Sequence, residues 1–223
     1  MPRIQITHFS DALCVWAYVS QARYEELHES FPGQISMDYR FLSVFGDVKG
    51  KLARQWSARG GLEGYAALVQ EVGAKFEHVE LHPRVWLEAT PASSMPAHLY
   101  LCAVRLLEAR GELEDGALAG AARSLRQAFF EEAADIGGQA ALLGQAERAG
   151  LARAPIEVLL DNGEACAALA GDIELAQTSG VRVSPTLSLN EDRQRLAGNV
   201  GYRVIEANVR ELLERPAPEG SWC

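Results

Sequence analysis

Cysteine is scarce in this chain, and the four that occur (Cys14, Cys102, Cys166 and Cys223) are far apart. None has a second cysteine two to four residues away, so no zinc-type or iron–sulfur-type spacing is present. Positive charge is also short: 21 Lys and Arg stand against 30 Asp and Glu, a formal net charge of −9. That balance excludes nucleic acid, whose phosphates require a basic face. No apolar run reaches the length of a membrane span. The opening "MPRIQITHFSD" enters a strand-like pattern directly, without a basic segment followed by an apolar one, so no secretory signal is read there. A reduced, cytoplasmic protein is the expectation. What is abundant is apolar content, 48% of residues, ample for a globular core.

The pattern along the chain is strand, helix, strand. "RIQITHF" alternates apolar and polar residues. "CVWAYVSQARYEELHE" (Cys14 to Glu29) carries Trp16, Val19, Tyr24 and Leu27 at helical spacing. "FPG" breaks it, and "QISMDYRFLSVF" puts Ile35, Met37, Tyr39 and Phe41 on one face. A βαβ unit with parallel strands is predicted. From about Lys51 to Gly180 the chain is rich in Ala, Leu, Glu, Arg and Gln at helical intervals, with glycines and prolines at segment ends. "VRVSPTLSL" then reads as a strand carrying Pro185, "NEDR" as a turn, "QRLAG" as a short strand and Val200 to Glu214 as a closing helix. The order βαβ, helical block, ββα is that of a thioredoxin-type α/β fold with an all-helical domain inserted in its middle. The predicted units are 1–46 (βαβ), 47–180 (helical insertion), 181–215 (ββα) and a tail, 216–223.

Within that order, "FSDALCVWAY", "LRQAFFEEAADIG…LLGQAERAGL" and "GVRVSPTLSLN…LAGNVGYRVIEANV" resemble the DsbA family of thioredoxin-fold oxidoreductases. The likeness is to the cytosolic, FrnE-related branch, and more distantly to kappa-class glutathione transferases and 2-hydroxychromene-2-carboxylate isomerases. It implies that Cys14 is the attacking cysteine and that Val15 and Trp16 are the dipeptide between the family's two thiols. Ala17 occupies the place of the second, resolving cysteine. Ser184 and Pro185 fall on the residue and cis-proline that face the sulfur. A dithiol enzyme stores its own disulfide; with Ala17 in the motif this chain cannot.

Each site residue also has a structural reading. Cys14 lies at a strand-to-helix junction, where free N–H groups and the helix dipole favour a thiolate, and a pKa in the range of roughly 3.5–7.5 is expected. Cys102 and Cys166 sit in apolar helical stretches that disfavour charge, which makes Cys14 the expected reactive thiol. Asp11 caps the first helix or the turn before it, or serves as a polar neighbour of Cys14; the cap is the commoner role. Trp16 covers the rim of the site or joins the core. His8 assists proton transfer or is a hydrogen-bonded core histidine. Pro185 is expected cis, offering the Ser184 backbone to a peptide or glutathione. Asn199 is an N-cap of the last helix or, as in related glutathione binders, a partner for a ligand carboxylate. His98 and Cys102 stand one helical turn apart, as two metal ligands do, but without a further pair, so insert packing and no metal site is expected. Cys223 is an incidental tail thiol unless the tail folds back.

The leading functional expectation is a thiol–disulfide oxidoreductase working through Cys14 alone, its mixed disulfide resolved by an external thiol such as glutathione. No tightly bound cofactor is expected; glutathione enters as co-substrate. The alternatives are a glutathione-dependent isomerase or transferase, and a non-catalytic peptide- or thiol-binding protein. Substrate and oligomeric state are not legible in the sequence.

Overall fold

The computed structural model describes residues 4–215. The tail 216–223, with Cys223, lies outside them. Four strands form one sheet in the order β2-β1-β3-β4. Strands β1 (Ile4–Ser10) and β2 (Ile35–Phe41) are parallel, whereas β3 (Thr186–Leu189) and β4 (Gln194–Ala197) run antiparallel to their neighbours. Parallel pairing of β1 and β2 demands a crossover, supplied by α1 (Val15–Val19) and α2 (Gln21–Ser30). The structure is thus the thioredoxin-type α/β fold, with seven α-helices between β2 and β3: α3 (Val48–Trp56), α4 (Gly61–Gly73), α5 (Met95–Ala109), α6 (Ala117–Phe130), α7 (Gln139–Arg148), α8 (Arg153–Asp161) and α9 (Glu164–Thr178). The closing helix is α10 (Tyr202–Glu214).

Two readings of local structure need correction. The continuous helix expected from Cys14 to Glu29 is broken at Ser20, whose N–H turns back to Trp16 and Tyr18 carbonyls. Only five residues follow Cys14 before the break, so few peptide dipoles align behind the thiol. The strand expected across "VRVSPTLSL" begins only at Thr186. Pro185 has no N–H for the ladder and stands immediately before the strand, while its carbonyl accepts from Gly198 N–H at 2.8 Å.

The core explains why the helical block fixes the site. On one face of the sheet, Ile4, Ile6, Leu187 and Leu189 pack with Tyr24, Leu27 and Phe31 from the α2 side and Ile205, Val209 and Leu212 of α10. Residues 12–15 and α1 pack instead into the same apolar cluster as Tyr65 and Val69 of α4, Leu101 of α5 and Phe129 and Phe130 of α6. A buried ionic knot adds direction to this packing. Asp172 of α9, fully buried, accepts from Arg40 at 3.1 Å, from Arg105 at 2.9 and 3.0 Å and from the Phe41 N–H at 3.2 Å. It ties the end of β2 to α5 and α9, and breaking it would strand a charge in the interior.

Candidate active site

Cys14 sits at the start of α1 in an extended backbone conformation, and its carbonyl accepts from the N–H groups of Ala17 and Tyr18, both at 3.1 Å. Its Sγ donates to the Ser184 carbonyl at 3.3 Å. The Ser184–Pro185 peptide is cis, and the Ser184 carbonyl contact sets the β3 entry loop beside the thiol. Ser184 also receives the Asp11 N–H on its Oγ at 2.9 Å, a second link between the two loops. Residues 170 positions apart in sequence are joined here by the sheet pairing of β1 with β3.

Asp11 organises the loop ahead of the cysteine. Its Oδ1 accepts from Leu13 N–H at 2.9 Å, and its Oδ2 accepts from Phe45 N–H and Ser94 Oγ, both at 2.8 Å. Cys14, not Asp11, is the N-cap of α1, so Asp11 holds the preceding turn. His98, one helical turn from Cys102 in the sequence, has its Nε2 accepting from the Ala12 N–H at 3.0 Å. That nitrogen also lies 3.7 Å from Asp11 Oδ1, but an acceptor nitrogen carries no proton, so the approach is not an ion pair. Burial lowers the His98 pKa, which keeps the ring neutral as this acceptor role requires. Among the described residues no group of three metal-ligating side chains forms around His98 and Cys102.

Sequence reasoning missed Ser94, Phe45, His98 and Lys51 as parts of this constellation. A serine followed by "MPAH" reads as a helix cap, yet the Ser94 hydroxyl donates to Asp11 and makes no cap bond. The Phe45 contribution is a backbone N–H, which no side-chain pattern betrays. Lys51 of α3 lies over the Phe45 ring at 4.8 Å, and its charge couples to those of Cys14 and Asp11.

The electrostatics correct the expectation for the thiol. Cys14 is 6% exposed, and burial pushes its pKa up, with the charge of Asp11 adding to the push. The Ser184 side chain and the N–H groups of Ala17 and Trp16 pull the other way without reversing it. The resting group is therefore a thiol donating to Ser184, not a preformed thiolate. Cys102 is buried too and pushed up to about 12 by desolvation. Cys166 is exposed, contrary to its expected place in an apolar stretch, because α9 turns that side to solvent.

The remaining motif residues separate. Val15 and Ala17 are buried, and Trp16 is half-buried with its ring edge-on to Phe76 at 6.4 Å. Asn199 is exposed and is not the cap of α10, a position held by Gly201; its side chain accepts from Arg23. Arg23 also donates to the Val200 carbonyl at 2.8 Å, so Asn199 belongs to a clamp between α2 and the α10 entry.

Removing the Asp11 carboxylate should be costly, because three buried donors would lose their acceptor. Asp11→Ala is expected to lower unfolding free energy by about 3 kcal/mol, measured by urea denaturation. A loss below about 0.5 kcal/mol, within the range of an ordinary surface change, would contradict this role.

A cysteine at a helix start facing a cis-proline loop across a β2-β1-β3-β4 sheet defines a thioredoxin-fold thiol site. The DSBA-like thioredoxin domain model matches residues 5–210, and the chain belongs to that family, the DsbA-like thiol–disulfide oxidoreductases. No curated protein matches the sequence. Among solved structures, a probable DsbA oxidoreductase from Streptomyces coelicolor is 18% identical (TM-score 0.74; 99% of this chain and 94% of that one covered). The cytosolic disulfide reductase DsbM from Pseudomonas aeruginosa, in its structure with GSH, is 15% identical (TM-score 0.64; 95% and 98% covered). A 2-hydroxychromene-2-carboxylate isomerase is 16% identical (TM-score 0.66; 97% and 100% covered). At these identities the likeness is one of fold. No helix among the described residues is long and apolar enough to cross a membrane.

Proposed function

We propose that this protein exchanges disulfides through Cys14 alone, with glutathione as the resolving thiol. The observation that carries the reading is the 3.3 Å contact between Cys14 Sγ and the Ser184 carbonyl, in a motif whose fourth position is Ala17. An incoming extended segment that pairs with the Ser184 backbone would take over that carbonyl and free the sulfur. Cys14 gives up its proton to solvent, and its thiolate attacks a glutathionylated substrate. A Cys14–glutathione disulfide forms and the substrate thiolate leaves. A second glutathione thiolate then attacks the glutathione sulfur of that disulfide, returning Cys14 as the leaving thiolate and giving oxidised glutathione. Lys51, whose charge couples to Cys14, offsets its negative charge during these steps.

A place for the glutathione carboxylates supports the same reading. A cavity of about 290 Å³ is lined by Lys51, Ser43, Val181 and Arg182, the last two directly preceding the cis-proline loop. Two cationic side chains among its lining residues suit a tripeptide with two carboxylates. Asn199 accepts from Arg23 and is not among the residues lining this cavity. With its low reactivity at rest and its reduced-glutathione partner, the site fits a cytoplasmic setting.

Incubation of a Cys166→Ser, Cys223→Ser background with oxidised glutathione should give one glutathione adduct by intact mass, absent after Cys14→Ser. In the same background Ala17→Cys should shorten the adduct's lifetime and yield an internal disulfide, since the added thiol stands one helical turn from Cys14. An adduct that survives Cys14→Ser, or no adduct at all, would sink the reading and leave a binding role.

A further inference from the structure

A second polar cavity, lined by neither Cys14 nor Ser184, holds buried nitrogen atoms without hydrogen-bond partners. Along β1, Ile4 and Ile6 point into the apolar layer under α2, and strand alternation gives the next place in that row to His8. His8 is fully buried, and neither Nδ1 nor Nε2 has a hydrogen-bond partner. Its ring lies between Tyr24, 4.7 Å away, and Tyr39, 5.4 Å away and perpendicular. Across from it α6 turns a guanidinium inward: Arg126 is 4% exposed, in a helix face otherwise made of Leu118, Ala122, Leu125 and Phe129. Its Nη2 donates to Ser10 Oγ at 2.9 Å, its Nε has no partner, and among the described residues it makes no salt bridge.

A buried guanidinium without a counter-ion is costly, and so is an imidazole with both nitrogens idle. His8, Arg126, Tyr24 and Tyr39 line one cavity of about 280 Å³, far above the ~10–15 Å³ that one water needs. Ala119 and Ala122 give it an apolar wall. Glu25 and Glu29 stand among its lining residues, and Glu25 is already paired with Arg123 at 3.0 Å. Carboxylates there disfavour polyanions, and a single unpaired guanidinium matches a single negative charge.

We propose that this cavity binds a small organic monoanion, a carboxylate with a compact apolar body, between the Arg126 guanidinium and the His8 imidazole. The carboxylate accepts from Arg126 and from the protonated nitrogen of neutral His8. The body lies against the Tyr24 and Tyr39 rings and the two alanines. The site is separate from the Cys14–Ser184 contact and does not depend on the glutathione reading.

Benzoate is the probe. In histidine-labelled full-length protein at constant pH and ionic strength, it should shift the His8 ring resonances saturably and raise the melting temperature. Chloride and phosphate at matched ionic strength should do neither. Arg126→Leu, shown folded by circular dichroism, should abolish the melting shift, and His8→Leu should weaken benzoate binding by about tenfold or more. The absence of a saturable His8 shift in the native protein overturns the proposal, and so does a melting response that persists in folded Arg126→Leu. An equal response to phosphate overturns the organic-carboxylate assignment. Should Arg126→Leu not fold, the His8 resonances and His8→Leu decide the matter alone.

Discussion

Cys14→Ser is expected to reduce turnover of a glutathionylated peptide to the uncatalysed background, a loss of about a thousandfold or more. A serine oxygen cannot enter a mixed disulfide, so nothing in the proposed sequence of bonds survives the change. The rest of the site should persist, because the Asp11 contacts to Leu13, Phe45 and Ser94 do not involve the sulfur. Unchanged stability in Cys14→Ser would separate lost chemistry from lost fold. The wild-type rate should rise with pH beyond the ordinary thiol range near 8.5, since burial pushes Cys14 up and the thiolate is the attacking species. A rate already flat at neutral pH would instead mean a thiolate at rest. Activity retained by Cys14→Ser but lost in Cys166→Ser would move the chemistry to the exposed thiol of α9.

The second large effect is on stability in acid. Burial, assisted by the charge of Arg126, lowers the His8 pKa from 6.5 to about 3. In the unfolded chain the imidazole takes up a proton below about pH 6.5, while in the folded protein it stays neutral until about pH 3. The unfolded state therefore binds more protons across that window, and stability falls as the pH drops through it. The full contribution is on the order of 4 to 5 kcal/mol, and it is intact above pH 6.5. His98, lowered by burial as well, works in the same direction. In urea denaturation at pH 4, without added organic anion, His8→Leu should gain about 3 kcal/mol relative to the wild type when each is referred to its own value at pH 7.5. Parallel pH profiles for the two proteins would show that His8 is protonated in the folded state.

Much of the architecture was legible because periodicity and punctuation survive without tertiary context. The alternation in "RIQITHF" and "QISMDYRF", the helical spacing from Lys51 to Gly180 and the "NEDR" turn each follow from which residues can be buried on one face. Element ends were less legible. The break at Ser20 accompanies the packing of α1 with residues of α4 and α6, and β3 first pairs at Thr186, opposite Phe9. Local pattern contains neither.

The sequence by itself determined the order of elements, the single thiol at the start of the first helix and the missing sulfur at Ala17, because each is a property of neighbouring residues. The tertiary structure decided the state of that thiol. A helix start predicts a lowered pKa, but desolvation depends on the surroundings of the sulfur, and here Cys14 lies in one apolar cluster with Tyr65 and Val69 of α4 and meets the cis-proline loop at Ser184. It also decided that Asp11 serves the backbones of residues 13 and 45 and the Ser94 hydroxyl together, and that His8 and Arg126, 118 positions apart by their numbers, face one cavity. Burial and long-range hydrogen bonds are sums over the whole fold, and no window of sequence contains them.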